Sequence, residues 1–245
     1  MDDIVRRAVE RAIGTMQEQL GERLTIDDLA RSAMFSKFHF SRVFQQATGV
    51  SPGRFLSALR VTESKRLLLS TSITVADISH RVGYNSVGTF STRFSRSVGA
   101  PPIAYRQLRG VLPWVPAGQA HRGTRFGPVR GRVRVPPGTN PGTVFVGLFP
   151  SRIPEGPLAA CVILDEPGPY LFQNVPQGTW HVVAQCLFRD ERNDMIYTGH
   201  HGPITIQSDV ARIADVQLRP TRIFDPPVLL ALPNPGLNPP VRVAV

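Results

Sequence analysis

Two stretches of the chain decide its fold: LTIDDLARSAMFSKFHFSRVFQQATGVSPGRF (residues 24–55) and ITVADISHRVGYNSVGTFSTRFSRSVGAPPIAY (residues 73–105). The second repeats the first at an offset of 49 residues up to a turn and of 50 after it, so that Phe44 aligns with Phe94. A repeat with a one-residue insertion in a turn indicates one supersecondary unit used twice. We therefore predict two copies of one small helical motif.

Each copy has the pattern of a helix, a turn and a second helix. A threonine N-cap is followed three residues later by an aspartate, an acidic form of the capping box; these residues are Thr25, Asp28, Thr74 and Asp77. Gly83 in the second turn can adopt a left-handed backbone, whereas Met34 in the first would adopt it at a cost of ~1 kcal/mol or more. The second helices are predicted at about 36–48 and 86–98.

The second helix of the first copy has one buried and one outward face. Its apolar side chains recur at i, i+3, i+4 and i+7 from Phe40 to Ala47, which predicts a buried stripe. The outward face carries Lys37, Phe38, Ser41, Arg42 and Gln45. Hydrogen-bonding and flat apolar groups without an acid suit a helix that contacts bases in a major groove. The alternative is a solvated face, which would usually carry glutamate, and this helix has none.

The corresponding face of the second copy carries shorter side chains: Val87, Gly88, Thr89, Ser91 and Thr92. Short side chains make few hydrogen bonds to base edges, so we expect this helix to contact phosphates and thymine methyl groups more than it reads bases. Arg96, near the end of the same helix, is a candidate phosphate contact. The alternative for Arg96 is a solvated surface arginine.

A linker helix is predicted between the copies at about residues 53–69. Its ~17 residues span roughly 26 Å, and successive major-groove turns lie about 34 Å apart. One chain could therefore place both recognition helices on an asymmetric site of about 20 bp, with bent DNA or an oblique linker helix. Four basic residues of this helix could contact the intervening phosphates or simply be solvated: Arg54, Arg60, Lys65 and Arg66.

These motifs resemble the AraC/XylS family of bacterial transcription regulators over about residues 4–109. The most specific segments are FHFSRVFQQATGVSPGRFL (38–56) and VADISHRVGYNSVGTFSTRFSRSVGAPPIAYR (75–106). The resemblance implies a seven-helix module that binds double-stranded promoter DNA, with RNA polymerase as a further candidate partner. By position, the implied base contacts are Lys37, Phe38, Ser41 and Arg42, then Val87, Gly88, Thr89, Ser91 and Thr92. Family members commonly carry a sensor domain before this module, so sensing is expected C-terminal to it here, or not at all.

Proline divides the chain, because residues 1–110 hold only 3 of its 23 prolines. Proline disrupts helix interiors, so the first part can be helical and the rest largely cannot. The predicted domains are an AraC-type DNA-binding domain (1–109), a linker (110–128), a β domain (129–220) and a proline-rich tail (221–245). The DNA-binding domain contains the first helix-turn-helix at about 25–48 and the second at about 74–98.

Seven short β-strand patterns separated by turns in residues 129–219 predict an antiparallel β-sandwich: VRGRVRV, TVFVGLF, LAACVIL, PYLFQNV, TWHVVAQCLF, ITIQ and ARIADVQL. The segment PGPYLFQNVPQGTWHVVAQ (167–185) resembles transthyretin-like and carboxypeptidase-regulatory-like sandwiches, and we predict a tight hairpin at Val175–Gly178. The fold class is thus an all-α double helix-turn-helix module followed by an all-β sandwich. The β domain would sense a small-molecule effector, self-associate or contact the transcription machinery.

Several functional classes are disfavoured by the composition. Two cysteines in 245 residues exclude a disulfide scaffold, and we interpret Cys161 and Cys186 as reduced core thiols. His181, His200 and His201 lack metal-ligand spacing and are interpreted as surface or loop histidines, so no cofactor is predicted. No apolar run approaches ~18 residues and no signal peptide is evident, so a cytoplasmic protein that does not bind membranes is expected.

The net charge of +10 fits nucleic acid, an anionic surface or neither. Its distribution is more informative, because 16 basic and 9 acidic residues fall in residues 1–110. A DNA-binding regulator is the leading hypothesis. The alternatives are an interaction adaptor that retains the helical fold, and an enzyme that uses the β domain, for which no catalytic constellation is visible.

Overall fold

The computed structural model describes residues 2–111, 126–139, 142–156, 158–190, 193–207 and 210–231. They form two compact units. The helical unit contains the described residues up to 111 together with Arg222–Ala231. The β unit contains the described residues from 126 to 221. Most of the predicted linker lies outside the described residues.

The described part of the helical unit contains the seven helices that the sequence predicts. They are α1 (Asp3–Glu18), α2 (Ile26–Ser32), α3 (Lys37–Thr48), α4 (Pro52–Ser70), α5 (Val75–Arg81), α6 (Val87–Val98) and α7 (Pro102–Gln107). The two copies of the repeat are therefore α2–α3 and α5–α6, and α4 joins them. Within the described residues, no helix is long and apolar enough to cross a bilayer.

The helices begin and end where local chemistry requires it. The predicted capping box of α2 is complete: the Thr25 hydroxyl accepts from the amide of Asp28, and the Thr25 amide donates to the Asp28 carboxylate. In α5, the Asp77 amide donates to the Thr74 hydroxyl at 3.1 Å. These bonds satisfy N–H groups that have no partner inside the helix. Helices α3 and α6 end at left-handed Gly49 and Gly99.

The turns of the two copies share one geometry despite their different residues. Met34 has φ 59° and Gly83 has φ 82°. The amide of Phe35 donates to Ala30 O and that of Met34 to Arg31 O. Equivalent bonds close the second turn, so both are Schellman-type helix ends. Met34 thus adopts the left-handed conformation that its side chain disfavours.

Phenylalanine rings form the core of each copy. Phe40 and Phe44 are fully buried in the first copy, as predicted, and so are the equivalent Phe90 and Phe94 in the second. Phe44 also packs edge-to-face on Phe55 of α4, with ring centroids 5.5 Å apart. Aromatic packing of this kind gives each recognition helix a rigid base.

The β unit contains nine strands in its described residues. They are β1 (Phe126–Arg134), β2 (Val144–Phe149), β3 (Ala160–Leu164), β4 (Pro169–Pro176), β5 (Gly178–Asp190), β6 (Asn193–Ile206), β7 (Arg212–Ile213), β8 (Val216–Gln217) and β9 (Arg219–Pro220). One sheet has the order β4-β1-β7, with β8 also paired to β1; the other has the order β3-β2-β5-β6-β9. One hydrophobic core draws side chains from both sheets, such as Val129 and Tyr170 from the first and Val146 and Val182 from the second.

Three features of these sheets differ from the predictions. First, β1 pairs in parallel with β7 and β8, whereas every pair was expected to be antiparallel. Second, the segment ITIQ is only the end of the longer strand β6, which pairs with nearly all of β5. Third, Val175–Gly178 is not a hairpin, because β4 pairs with β1 while β5 pairs with β2 and β6. The inner faces of β4 and β5 pack into the same core from different sheets, so the chain crosses between sheets at this turn.

Both cysteines of the β unit and three of its aromatic residues lie on strands. Cys161 and Cys186 are free thiols on β3 and β5. Tyr170 and Phe172 are core residues, and Trp180 donates from Nε1 to Pro176 O.

The histidines predicted in loops or on the surface lie on strands, where each is partly exposed. His181 Nδ1 of β5 is 2.9 Å from His200 Nε2 of β6, and Arg152 Nη1 is 3.0 Å from His200 Nδ1. His201 bonds through Nδ1 to Asp215 O at 2.8 Å. The described residues contain no group of three or more histidine, cysteine or acidic side chains that could hold a metal ion.

Candidate nucleic-acid interface

The exposed face of α3 is built on the buried stripe described above. Phe38 is 87% exposed, and Arg42 and Gln45 are exposed on the same side of the helix. The Arg42 guanidinium has neither a hydrogen-bond nor an ion-pair partner among the described residues. Both the Phe38 ring and the Arg42 guanidinium are therefore accessible to a ligand.

Two other predicted residues of α3 already have partners. Lys37 Nζ lies 3.0 Å from the Asp27 carboxylate, and both side chains are about half exposed. Such surface pairs are weak, so Lys37 can exchange Asp27 for another anion at small cost. The Ser41 hydroxyl donates to Lys37 O at 2.8 Å. Its oxygen still has lone pairs that can accept a hydrogen bond.

The equivalent face of α6 is flatter and smaller. Val87, Gly88, Thr89 and Thr92 are exposed. Ser91 is half-buried, and its carbonyl accepts from the Ser95 hydroxyl. Arg96 is exposed near the end of the helix. The structure therefore brings all the predicted residues of α6 to the surface, although Ser91 only partly.

Neither recognition helix contains an acidic residue. Each begins at a serine N-cap, Ser36 or Ser86, whose hydroxyl oxygen accepts from an amide of the first turn. The nearby acids Asp28 and Asp77 cap α2 and α5 instead, and the threonine hydroxyl that donates to each carboxylate lowers the pKa of that aspartate. The two recognition helices therefore add no negative charge of their own to these exposed faces.

A helix-turn-helix domain model matches residues 29–108. The transcriptional activator AarP of Providencia stuartii is 31% identical over 91 residues, which cover 37% of this chain and 67% of AarP. The chain belongs to the AraC-type helix-turn-helix regulators. The regulator YobQ of Bacillus subtilis is 34% identical over 95 residues, covering 39% of each chain.

The match covers less than half of several relatives, for example 36% of YisR of Bacillus subtilis. Among solved structures, an AraC-type regulator from Chromobacterium violaceum is 26% identical, with a TM-score of 0.41 over 42% of this chain and 93% of that one. The DNA-binding domain of AdpA, solved with a target DNA, is 30% identical, with a TM-score of 0.39 over 40% of this chain and 89% of that one.

Several arginines of this AraC-type module bind the protein's own backbone. Arg60 donates to Leu20 O at 3.0 Å and to Glu22 O at 2.7 Å. Arg106 similarly donates to Leu68 O and Ile73 O around the end of α4. The Arg60 guanidinium therefore supplies donors to carbonyls that helix ends leave unpaired, and its phosphate contact stays a prediction.

The other three basic residues of α4 have different surroundings. The Arg66 guanidinium donates two hydrogen bonds to the Glu63 carboxylate in a bidentate arrangement, at 2.6 and 2.8 Å. Lys65 is bound by backbone carbonyls of Arg222–Ala231, so it does not face DNA phosphates as suggested. Arg54 is exposed near the start of α4. Sequence reasoning could not find the Lys65 contact, since its partners are backbone atoms more than 160 residues away.

Proposed function

We propose that this chain is a sequence-specific DNA-binding transcription regulator. The proposal rests mainly on the two helix-turn-helix copies, which are joined by the single helix α4. The exposed face of the second helix of each copy has no acidic residue. At 19 residues, α4 is roughly 28 Å long. That length suits two recognition helices in successive major-groove turns of one DNA face. The names of relatives such as AarP support regulation of transcription as the role.

In this proposal α3 supplies most of the base recognition. Arg42 would donate to acceptors of a guanine edge, and Gln45 can pair with adenine. Phe38 would pack on a thymine methyl group, and Lys37 and Ser41 would contact neighbouring bases or phosphates. Helix α6 would supply methyl and backbone contacts through Val87, Gly88, Thr89, Ser91 and Thr92, with Arg96 on a phosphate. Short side chains allow close approach of the helix to the groove but read few base edges.

We further propose separate functions for the successive segments of the chain. Residues 1–109 would form the DNA-binding domain, 110–128 the linker and 129–220 a transthyretin-like sandwich. The two sheets around one core support the sandwich assignment. The β domain would bind a small-molecule effector, a second subunit or the transcription machinery, RNA polymerase included. The chain would act in the cytoplasm without catalysing a reaction.

A mobility-shift titration of the full chain against promoter fragments at several salt concentrations tests this function. The logarithm of the affinity should fall steeply and linearly with the logarithm of salt, because DNA binding releases counterions. Binding that is absent, or insensitive to salt, would favour the adaptor alternative.

Arg42→Ala tests the assignment of α3. It should lower affinity by about 1–3 kcal/mol, or roughly 5- to 150-fold, and relax the base preference at one position. Arg7→Ala on α1 is the matched control, since it removes an exposed arginine outside the recognition helices. Equal weakening on all duplexes would make Arg42 a phosphate contact instead.

A further inference from the structure

The segment Arg222–Ala231, called the strap below, follows the last strand of the β unit but belongs to the helical unit. Its sequence is RIFDPPVLLA. Leu229 is fully buried and Ala231 is only 7% exposed, whereas Ile223 at its start is 42% exposed. The second half of the strap is therefore packed into the helical unit, although the sequence predicted it only as part of a proline-rich tail.

Lys65 of α4 binds the strap through three consecutive carbonyls. Its ammonium Nζ donates to Val228 O at 3.4 Å, Leu229 O at 3.0 Å and Leu230 O at 3.4 Å. An ammonium has three donors and no acceptor, so three carbonyls match its hydrogen-bonding capacity. A buried ammonium without such acceptors would be strongly destabilising. Lys65 thus has a specific backbone site, which an uncharged residue could not fill in the same way.

The strap also contacts the end of the second recognition helix. The amide of Ala231 donates to Val98 O at 3.2 Å, and Val98 is the last residue of α6. Carbonyls in the last turn of a helix have no partner within the helix. Ala231 satisfies one of them, so the strap connects α4 to the end of α6.

The first recognition helix is already fixed to α4. Helix α3 reaches α4 through the three residues 49–51, and the Phe44 ring of α3 packs on Phe55 of α4. Helix α6 bonds to α4 through Arg93, whose Nε donates to Ser57 Oγ at 3.0 Å. The strap adds a further connection near Lys65, thirteen residues from the start of α4 at Pro52.

We infer that the strap is a positioning segment, which holds α6 against α4 through Lys65 and Val98 and so fixes the spacing of the two recognition helices on DNA. This inference rests on the proposed DNA-binding function. Lys65 and Leu229 act through the helices that they hold and do not contact DNA themselves. The contacts that support this inference all lie within the helical unit, so the inference does not depend on the role of the β unit.

The test uses duplexes selected from a random library by the full wild-type chain. Affinity is measured for the selected site and for versions with one base pair inserted or deleted between its two recognised halves. One base pair rotates the halves by about 35°, so a rigid pair of helices should lose about tenfold or more in affinity. The variants are Leu229→Ala and Lys65→Met, and the matched control is Ile223→Ala at the exposed start of the strap.

Each variant is compared at a temperature where its far-ultraviolet circular dichroism equals that of the wild type. Leu229→Ala and Lys65→Met should bind the altered spacings within about threefold of the selected site, while Ile223→Ala keeps the tenfold discrimination. The inference is overturned if both variants keep the wild-type ratio, even when all affinities fall together, because the strap would then be only structural. It is also overturned if the wild type binds the altered spacings as tightly as the selected site. If the wild type enriches no sequence, the proposed function fails instead.

Discussion

The two helix-turn-helix copies have the same scaffold and different exposed faces. Their buried phenylalanines, threonine and serine caps, and left-handed turn residues occupy equivalent positions. On the surface, Arg42 of the first copy corresponds to Thr92 of the second, and Phe38 corresponds to Gly88. The constraints of folding are therefore met in both copies, while the large polar and aromatic groups are concentrated on one.

This difference separates the residues that make the fold from those that select a ligand. A core position has to fill a defined volume, so both copies retain a ring there. An exposed position on a helix has no such requirement, and it can change without loss of stability. Core substitutions should therefore have equal effects in the two copies, and surface substitutions should have unequal effects.

The largest expected effect is on stability and should be equal in the two copies. Phe44→Ala and Phe94→Ala each remove a fully buried ring and should each cost about 3–5 kcal/mol. Urea unfolding followed by circular dichroism measures both values. A difference of more than about 2 kcal/mol would show that one copy has a looser core.

The next effect should be unequal. Arg42→Ala should lower DNA affinity by about 1–3 kcal/mol, whereas Thr92→Ala should cost under about 1 kcal/mol because a hydroxyl makes at most a modest net contribution. Competition titrations on one selected duplex compare the two. Equal losses would remove the proposed asymmetry between the faces.

Substitutions in the two turns should change stability in opposite directions. Met34→Gly should stabilise the chain by about 0.5–1 kcal/mol, since glycine relieves the left-handed backbone at some entropic cost. Gly83→Ala should destabilise it by more than about 1 kcal/mol, because its new methyl group would also lie 2.6 Å from Arg60 Nη2 and 2.9 Å from Leu20 O. Thermal melting of both variants gives the signs. Destabilisation by Met34→Gly would contradict the strain assigned to Met34.

The smallest effect concerns pH. The hydroxyl of Thr25 donates to the Asp28 carboxylate and lowers its pKa, so this cap stabilises α2 above the unfolded-state pKa and is lost as pH falls through the folded one. The stability difference between wild type and Asp28→Asn should therefore shrink on acidification from neutral pH. Guanidinium unfolding at a series of pH values measures it. A constant difference would mean that the carboxylate charge is not what stabilises the cap.

The sequence predicted the helical unit closely because its signals are local. Periodic phenylalanines, caps and turn residues all lie within a few positions of the structure that they determine. The left-handed turn at Met34 was the exception, since its own residue type disfavours it and the fold overrides that preference.

The features that were missed depend on distant partners. The first part of β6, NDMIYTGHHGP, has no clear alternation of apolar residues, and its extended form follows from pairing with β5. The strap is short and proline-rich, and Lys65 finds its carbonyls across the sequence. For the candidate interface, burial supports the division into two faces, but the partners of Lys37, Arg60 and Lys65 could only be seen in three dimensions.

Selection of bound duplexes from a random library is the decisive measurement of the difference between α3 and α6, because it reports base preference in both halves of the site at once. The selected duplexes should contain two recognised segments about one helical turn apart, with strong base preference in one half and weak preference in the other. Arg42→Ala should flatten the strong half alone. Equal preference in both halves, or preference unaffected by Arg42→Ala, would contradict the assignment of α3 as the principal recognition helix.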